Sequence, residues 1–450
     1  MRFPDIGLSV PRVLLPRGDV PLEEWAVIAC DQHTSNPGYW EEAARLVGSR
    51  PSTLHLVFPE AFLEAPGRAG RIRGIHERME SYLRDGILQP LEPGFVLVDR
   101  STPHAASRKG LMAALDLERY SFAPDASTLI RTTEGTDPGR LPPRVEVRRG
   151  AVLEVPHILV LIDDPEATVI EPLFDETLPL LYDTELMLGG GRVRGWHVTA
   201  EEAIRRAADA LTRLASPETL ARRYGLEDGA PALYAMGDGN HSFATARQVW
   251  DGIRDRAGGL DAAAGHPSRH ALVELVNLHD PGLRFEPIHR VLFGVDGELA
   301  IEMEVFFREQ GSQPQIDSFD APAAWRRARE DLGARGLHHL PFVTGREDGA
   351  PRWGIVVVHE PRHDLEAVSL DAFLSDLGSR RDLRLDYIHG EEEVTELGSR
   401  PGNAGLLSRA LDKHALFRTV LRDGPLPRKS FSLGEAEEKR YYMECRRLVP

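Results

Sequence analysis

Cysteine is nearly absent: Cys30 and Cys445 are the only two in 450 residues. Two thiols so far apart build no disulfide framework and fit a reducing compartment. Long hydrophobic runs are missing too. No stretch approaches the roughly 18 consecutive apolar residues of a membrane helix, and the opening MRFPDIGLSVPRVLLPRG lacks the continuous apolar core of a secretory signal. Positive charge is in deficit, with 54 Lys and Arg against 70 Asp and Glu for a formal net charge of −16. Such a surface repels phosphate backbones and disfavours nucleic-acid partners, while allowing a local basic cleft for one small anion. The Arg-rich pieces 131–149 and 428–447 could line it. The expectation is a soluble, cytoplasmic protein that takes a small-molecule substrate, with no membrane and no nucleic acid among its partners.

What is present is an ordinary globular composition, 42% hydrophobic and 28% charged, long enough for more than one core. Strand-like runs (25–30, 52–58, 95–98, 156–162, 232–236, 270–278 and 285–293) alternate with helical periodicity at 39–47, 68–85, 199–214 and 242–255. That alternation predicts an α/β or α+β fold, with mixed sheet layers flanked by helices and a less regular C-terminal region. Thr199 with Glu202 reads as a capping box at one helix start. Pro and Gly in 130–144 predict a long irregular loop, and Glu435 to Arg447 reads as a basic helix. The polar, turn-rich segment 311–321 separates an expected domain 1–310 from an expected α+β region 322–450 that packs on it.

The sharpest local signal is Met236-Gly-Asp-Gly-Asn-His-Ser242, where a strand stops at two glycines flanking an acid and a helix begins. Glycines permit a tight turn and close approach of a ligand, and a helix start attracts a phosphate or carboxylate. Asp238 and His241 would project beside such an anion as acid and base or as metal ligands, with Gly237, Gly239, Asn240 and Ser242 around it. The plainer alternative is a capped helix after a simple turn. The Walker A ending is missing, and so is the complete dinucleotide fingerprint.

A second signal is the segment carrying Arg131, Arg140 and Arg144 around Glu134, which could grip an anion or pair with surface acids. A third is Asp31, Gln32 and His33 at the end of an apolar run, where open α/β sheets place ligands. Cys30 itself reads as a core residue. Further candidates are His289 with Arg290, His389, and Arg428 with Lys429 on a proline-stiffened loop. The histidines lack metal-ligand spacing, so a metal site is left unassigned, with Asp238 as its candidate ligand.

Ala26-Val-Ile-Ala-Cys-Asp-Gln32, Thr133-Glu-Gly-Thr136, Gly237-Asp-Gly-Asn-His241, Phe285-Glu-Pro-Ile-His-Arg290 and Leu426-Pro-Arg-Lys-Ser-Phe431 follow one another across almost the whole chain. In this set the chain resembles the bacterial and archaeal family labelled domain of unknown function 1015. The Asp238 turn is also similar to the Asp-Gly-His-His-Arg element of the ParB, sulfiredoxin and free-serine-kinase superfamily. That resemblance implies nucleotide phosphates held by Gly237 to His241 and phosphoryl transfer at Asp238. The arginine of that element is Ser242 here, so Arg131, Arg140 or Arg247 would have to replace it.

Three functions therefore stay open. The first is a nucleotide-dependent phosphotransferase acting on a small polar metabolite, using ATP or ADP with Mg²⁺. In it Asp238 serves as base or metal ligand, His241 as phosphate contact and Glu134 as second acid. The others are a metal-dependent hydrolase or phosphatase and a non-catalytic nucleotide-sensing module.

Overall fold

The computed structural model describes every residue except 124, 227–229, 296, 297, 331, 333–336, 348 and 364. Two compact units are formed: Met1–Arg284 with Lys413–Pro425 and Leu433–Pro450, and Phe285–Asp412 with Leu426–Ser432.

The first unit is built on a ten-stranded mixed sheet. Its strands are β1 (Arg2–Phe3), β2 (Leu8–Ser9), β3 (Phe95–Ser101), β4 (Arg108–Asp116), β5 (Ile130–Arg131), β6 (Leu159–Ile162), β7 (Leu180–Leu186), β8 (Gly191–Val198), β9 (Tyr234–Asp238) and β10 (His270–Asn277). The spatial order is β7-β8-β3-β4-β10-β6-β9-β5, with β2 also on β4 and β1 on β2. β6 runs parallel to β10 but antiparallel to β9, and β9 runs parallel to β5.

Central strands are buried on both faces, which is why they read as nearly unbroken apolar runs. Their side chains alternate between two apolar layers. Leu97, Leu111, Ala113, Val273 and Leu275 join Leu211, Phe243 and Trp250 in one layer. Val96, Val98, Met112 and Leu272 join Trp25, Trp40 and Tyr442 in the other. Three helices matter below: α1 (Leu141–Arg148), α2 (Glu201–Leu214) and α3 (Asn240–Ala257).

Several local expectations are corrected. The 130–144 passage is not an irregular loop: it opens with β5 and ends in α1, whose Pro142 and Pro143 lie in the first turn, where a missing N–H costs nothing. α2 is capped by Ala200 with no side-chain hydrogen bond, so the Thr199–Glu202 box does not form. The 25–30 run holds only the end of the short helix Leu22–Trp25 and an isolated bridge from Ile28 to Tyr441. Residues 52–58 hold a 3-10 turn, Thr53–His55, capped by Ser52.

The segment from Glu435 to Arg447 is not helical beyond the short 3-10 turn Ala436–Glu438. It runs extended through the unit, bridging Leu14 through Cys445 and pairing Arg446–Arg447 with Leu153–Glu154. Its charges explain the difference. Buried Arg440 is ion-paired with Glu274 and Glu444, and Arg446 with Glu154, so side chains that look solvated in the sequence are tied to the interior.

The second unit carries a six-stranded antiparallel sheet: β11 (His289–Phe293), β12 (Gln313–Phe319), β13 (Leu337–Arg346), β14 (Gly349–His359), β15 (Arg384–Ile388) and β16 (Asn403–Leu406), ordered β12-β14-β13-β16-β11-β15. Helices Leu299–Glu309 and Glu366–Arg380 cover one face through Met303, Phe307, Phe373 and Leu377. Trp325 and Val394, on two further helices, pack with Val291, Val343 and Ile355. The polar segment 311–321 is therefore not a turn-rich stretch but the site of β12, paired along its length with β14. The chain is α/β, and no helix among the described residues is long and apolar enough to cross a membrane.

Candidate functional site

β9 enters the first sheet as apolar Tyr234-Ala-Met236 and leaves it through a register shift opposite β6 at Asp238. Both glycines of the turn are sterically required. A Cβ on Gly237 would lie 2.8 Å from Leu433 Cδ1 and 3.0 Å from Leu161 Cγ. Gly239 adopts φ +79°, and its Cβ would lie 3.1 Å from Ile158 Cγ1. α3 starts at Asn240, and no side chain caps it.

Half-buried Asp238 accepts a hydrogen bond from the Gly239 N–H (2.8 Å), and its other oxygen is 3.2 Å from Lys439 Nζ. Lys439 is itself buried, at 8% exposure, so this pair sits in a setting where charge is only weakly screened. The Thr132–Glu134 segment closes on the same turn. Thr133 donates to the Met236 carbonyl (2.6 Å), and Thr132 Oγ1 lies 2.9 Å from Asn240 Oδ1 and 2.6 Å from the Glu134 carbonyl.

Within the first turn of α3, Ser242 Oγ is 3.0 Å from Nε2 of buried His157. The other ring nitrogen, Nδ1, is 2.8 Å from the Tyr442 hydroxyl, which in turn accepts from the Cys30 N–H at 3.0 Å. Asp31 Oδ2 stands 3.8 Å from His157 Nε2. The ring is thus fixed from both sides, and the preceding Pro156 carbonyl is held by Arg440 Nε at 3.1 Å.

Cys30, Pro156, His157, Ser242 and Tyr442 form one wall of a cavity of about 140 Å³. Leu56, Phe58, Met79, Ala151, Leu153 and Ile158 line most of the remainder, together with the ion pairs Arg144–Glu60 and Arg148–Glu154. Burial, with Asp31 next, pushes the Glu60 carboxyl above its ordinary range. Burial pushes the Cys30 thiol far up as well, which makes it a poor nucleophile.

The remaining sequence candidates have other surroundings. Arg131 donates to the Ala126 and Pro231 carbonyls (2.7 and 3.0 Å), Arg140 is exposed, and Arg144 is committed to Glu60. Arg247 is anchored to Asp251 and the Tyr120 carbonyl. Gln32 donates to Asp31, and His33 stacks on Tyr39 at 3.8 Å. His241 is half-buried, and its carbonyl accepts from Thr245.

His289, Arg290, His389, Arg428 and Lys429 belong to the second unit. There Ser408 N–H donates to His289 Nδ1, and Arg290 donates to Ser408 Oγ and to the Lys429 carbonyl. Among the described residues no three His, Cys, Asp or Glu side chains gather as metal ligands.

Sequence reading missed Lys439, His157, Tyr442 and Glu60. They reach the site from segments far apart in the chain. The one available hint was a histidine opening the apolar run 156–162.

A family model described as "Protein of unknown function (DUF1015)" matches residues 13–345. No curated protein matches the chain. Among solved structures, a conserved hypothetical protein from Pyrococcus furiosus aligns at TM-score 0.35 and 12% identity, over 75% of this chain and 95% of its own. A free serine kinase in complex with AMP aligns at TM-score 0.36 and 13% identity, over 74% and 90%. C-terminally truncated SbnI from Staphylococcus aureus aligns at TM-score 0.35 and 10% identity, over 72% and 82%.

Proposed function

The chain belongs to the DUF1015 family, and for this member we propose a nucleotide-dependent phosphotransferase acting on a small polar metabolite. The observation that carries the reading is the junction of β9 and α3. An uncapped start of an 18-residue helix, a left-handed glycine that lets a ligand approach the backbone, and the Asp238–Lys439 pair occupy one short turn. Phosphoryl transfer asks chiefly for positioning and charge neutralisation, and this turn offers both signs of charge beside a helix dipole.

In this reading the α3 N-terminus and Lys439 hold the transferred phosphoryl group of ATP or ADP, and His241 contacts the phosphates. Mg²⁺ is commonly held by one or two carboxylates plus substrate phosphates, so the half-buried Asp238 carboxylate fits it without a dedicated protein cage, with Glu134 as the second acid. When bound, Mg²⁺ neutralises phosphate charge. Asp238 would orient it, and Lys439, 3.2 Å from that carboxylate, would hold it in place.

Thermal-shift titration of the whole chain with ATP, ADP, CTP and GTP, with and without Mg²⁺, tests the reading, because a bound ligand raises the melting temperature by mass action. The expected result is a shift with at least one adenine nucleotide that His241→Ala abolishes. Asp238→Asn should leave the melting temperature of the ligand-free protein within a few degrees of the parent and remove phosphoryl transfer. No shift with any nucleotide rejects the reading.

A further inference from the structure

The cavity beside α3 has no role in holding a phosphate, yet it shares Ser242 with the helix that the phosphate would meet. Its size is a guide. A closed apolar cavity of about 150 Å³ accommodates a benzene-sized molecule, and this pocket, of about 140 Å³, is of that size but open to solvent on one side, which gives a guest a way in. Its charges are informative as well. The charged side chains on its wall are Arg144 with Glu60 and Arg148 with Glu154, each cation already matched by a carboxylate. Such a lining offers no surplus charge to an ion and favours a neutral guest.

The polar side chains at the Ser242 end are arranged differently. Buried His157 turns Nε2 toward Ser242, and Tyr442 fixes the ring through Nδ1. Nε2 offers one in-plane position and the Ser242 hydroxyl holds it at 3.0 Å, so a hydroxyl entering the cavity reaches Nε2 by taking the place of Ser242.

We propose that this cavity binds the phosphoryl acceptor, a small neutral alcohol with a compact apolar body of about benzene size, and presents its hydroxyl to His157 beside the start of α3. This rests on the phosphotransferase reading and replaces its small polar metabolite by an alcohol with an apolar body. In the step, the alcohol proton passes to His157 Nε2 while its oxygen forms the new bond to the terminal phosphorus of a nucleoside triphosphate. The bond from that phosphorus to its bridging oxygen breaks, and the electron pair leaves with the nucleoside diphosphate. His157 is thereby the catalytic base, Tyr442 a positioning residue that holds its ring, and Ala151 and Ile158 set the size of the body that fits.

Benzyl alcohol is the probe, offered to the full-length protein with Mg²⁺ and ATP labelled at the γ-phosphate. Calorimetry reads binding, and chromatography reads labelled benzyl phosphate. The expected result is binding of the alcohol and slow transfer of label. Ala151→Leu, which fills the cavity, should raise the KM for the alcohol about ten-fold or more with ATP binding intact. Val147→Phe serves the same purpose should Ala151→Leu not fold. His157→Gln should lower kcat about a hundred-fold or more with KM little changed.

ATP binding without any binding of benzyl alcohol, cyclohexylmethanol or butanol overturns the cavity assignment and leaves the nucleotide reading standing. Alcohol binding without ATP binding overturns the nucleotide reading, and the acceptor role with it. Wild-type kcat in His157→Gln overturns the base assignment.

Discussion

His289 stands out in the sequence as a histidine beside an arginine, and its surroundings give it a structural duty. Its Nδ1 accepts the Ser408 N–H, which requires that nitrogen to be unprotonated. Burial, the largest cause, lowers its pKa from 6.5 to about 4. Between those values the unfolded chain binds the extra proton and the folded chain does not, so stability rises with pH across the window. The contribution is complete above about pH 6.5 and is lost as pH falls toward 4, on the order of 3 kcal/mol in all. Urea unfolding of the second unit at pH 7 and pH 4.5 should show this loss in the parent. His289→Asn, which keeps an acceptor but does not titrate, should show a smaller one.

Gly239 is a comparable single-residue constraint. At φ +79°, with Ile158 Cγ1 3.1 Å from where a Cβ would stand, Gly239→Ala should cost about 2 kcal/mol in chemical denaturation.

At the scale of elements, strong periodicity was readable and its edges were not. The run 68–85 became the helix Arg68–Arg84, and 270–278 became β10, because apolar spacing and burial agree there. Pro142 and Pro143 misled the reading of α1, since a proline pair breaks a helix interior but opens a first turn comfortably. Trp25-Ala-Val-Ile misled it in the other direction. Its residues are buried, but Trp25 ends a helical turn and the backbone bonds of those that follow go to scattered partners, Tyr442 N–H among them, rather than to a ladder.

Caps can be tested directly. Thr199→Ala should change stability by no more than about 0.5 kcal/mol, because the box it suggests is not formed. Ser216→Ala should cost about 1 kcal/mol, because Ser216 Oγ accepts the Thr219 N–H at the start of Pro217–Tyr224. Equal effects of the two substitutions would contradict this assignment of helix starts.

For the molecule as a whole, the α/β character and the central turn were legible in one dimension, whereas the partners of that turn were not. Asp238, Gly239 and Ser242 are neighbours in sequence and announce themselves by pattern. Lys439 and Tyr442 come from a segment whose many charges read as a solvated helix, and only the buried acids Glu274 and Glu444 reveal why it lies inside. Removing one acid should expose that dependence. Glu274→Gln leaves Arg440 short of a carboxylate in the interior and should destabilise the first unit by about 3–5 kcal/mol. Hydrogen exchange should locate the loss in β4, β6 and β10, with β13 and β14 protected as before.

The first unit takes its 433–450 strip from beyond the sequence of the second, and this sets an order of events during synthesis. Some 150 residues separate Arg284 from Leu433, which at about 5–20 residues per second is a delay of roughly 8–30 s. Throughout that interval the emerging chain has β9, α3 and His157 but neither Lys439 nor Tyr442, and the apolar surface that Tyr441, Tyr442 and Met443 will cover is bare. A nascent chain stalled within this interval should therefore be a strong client for ribosome-associated chaperones, and release from them should coincide with the moment the turn between β9 and α3 acquires its lysine.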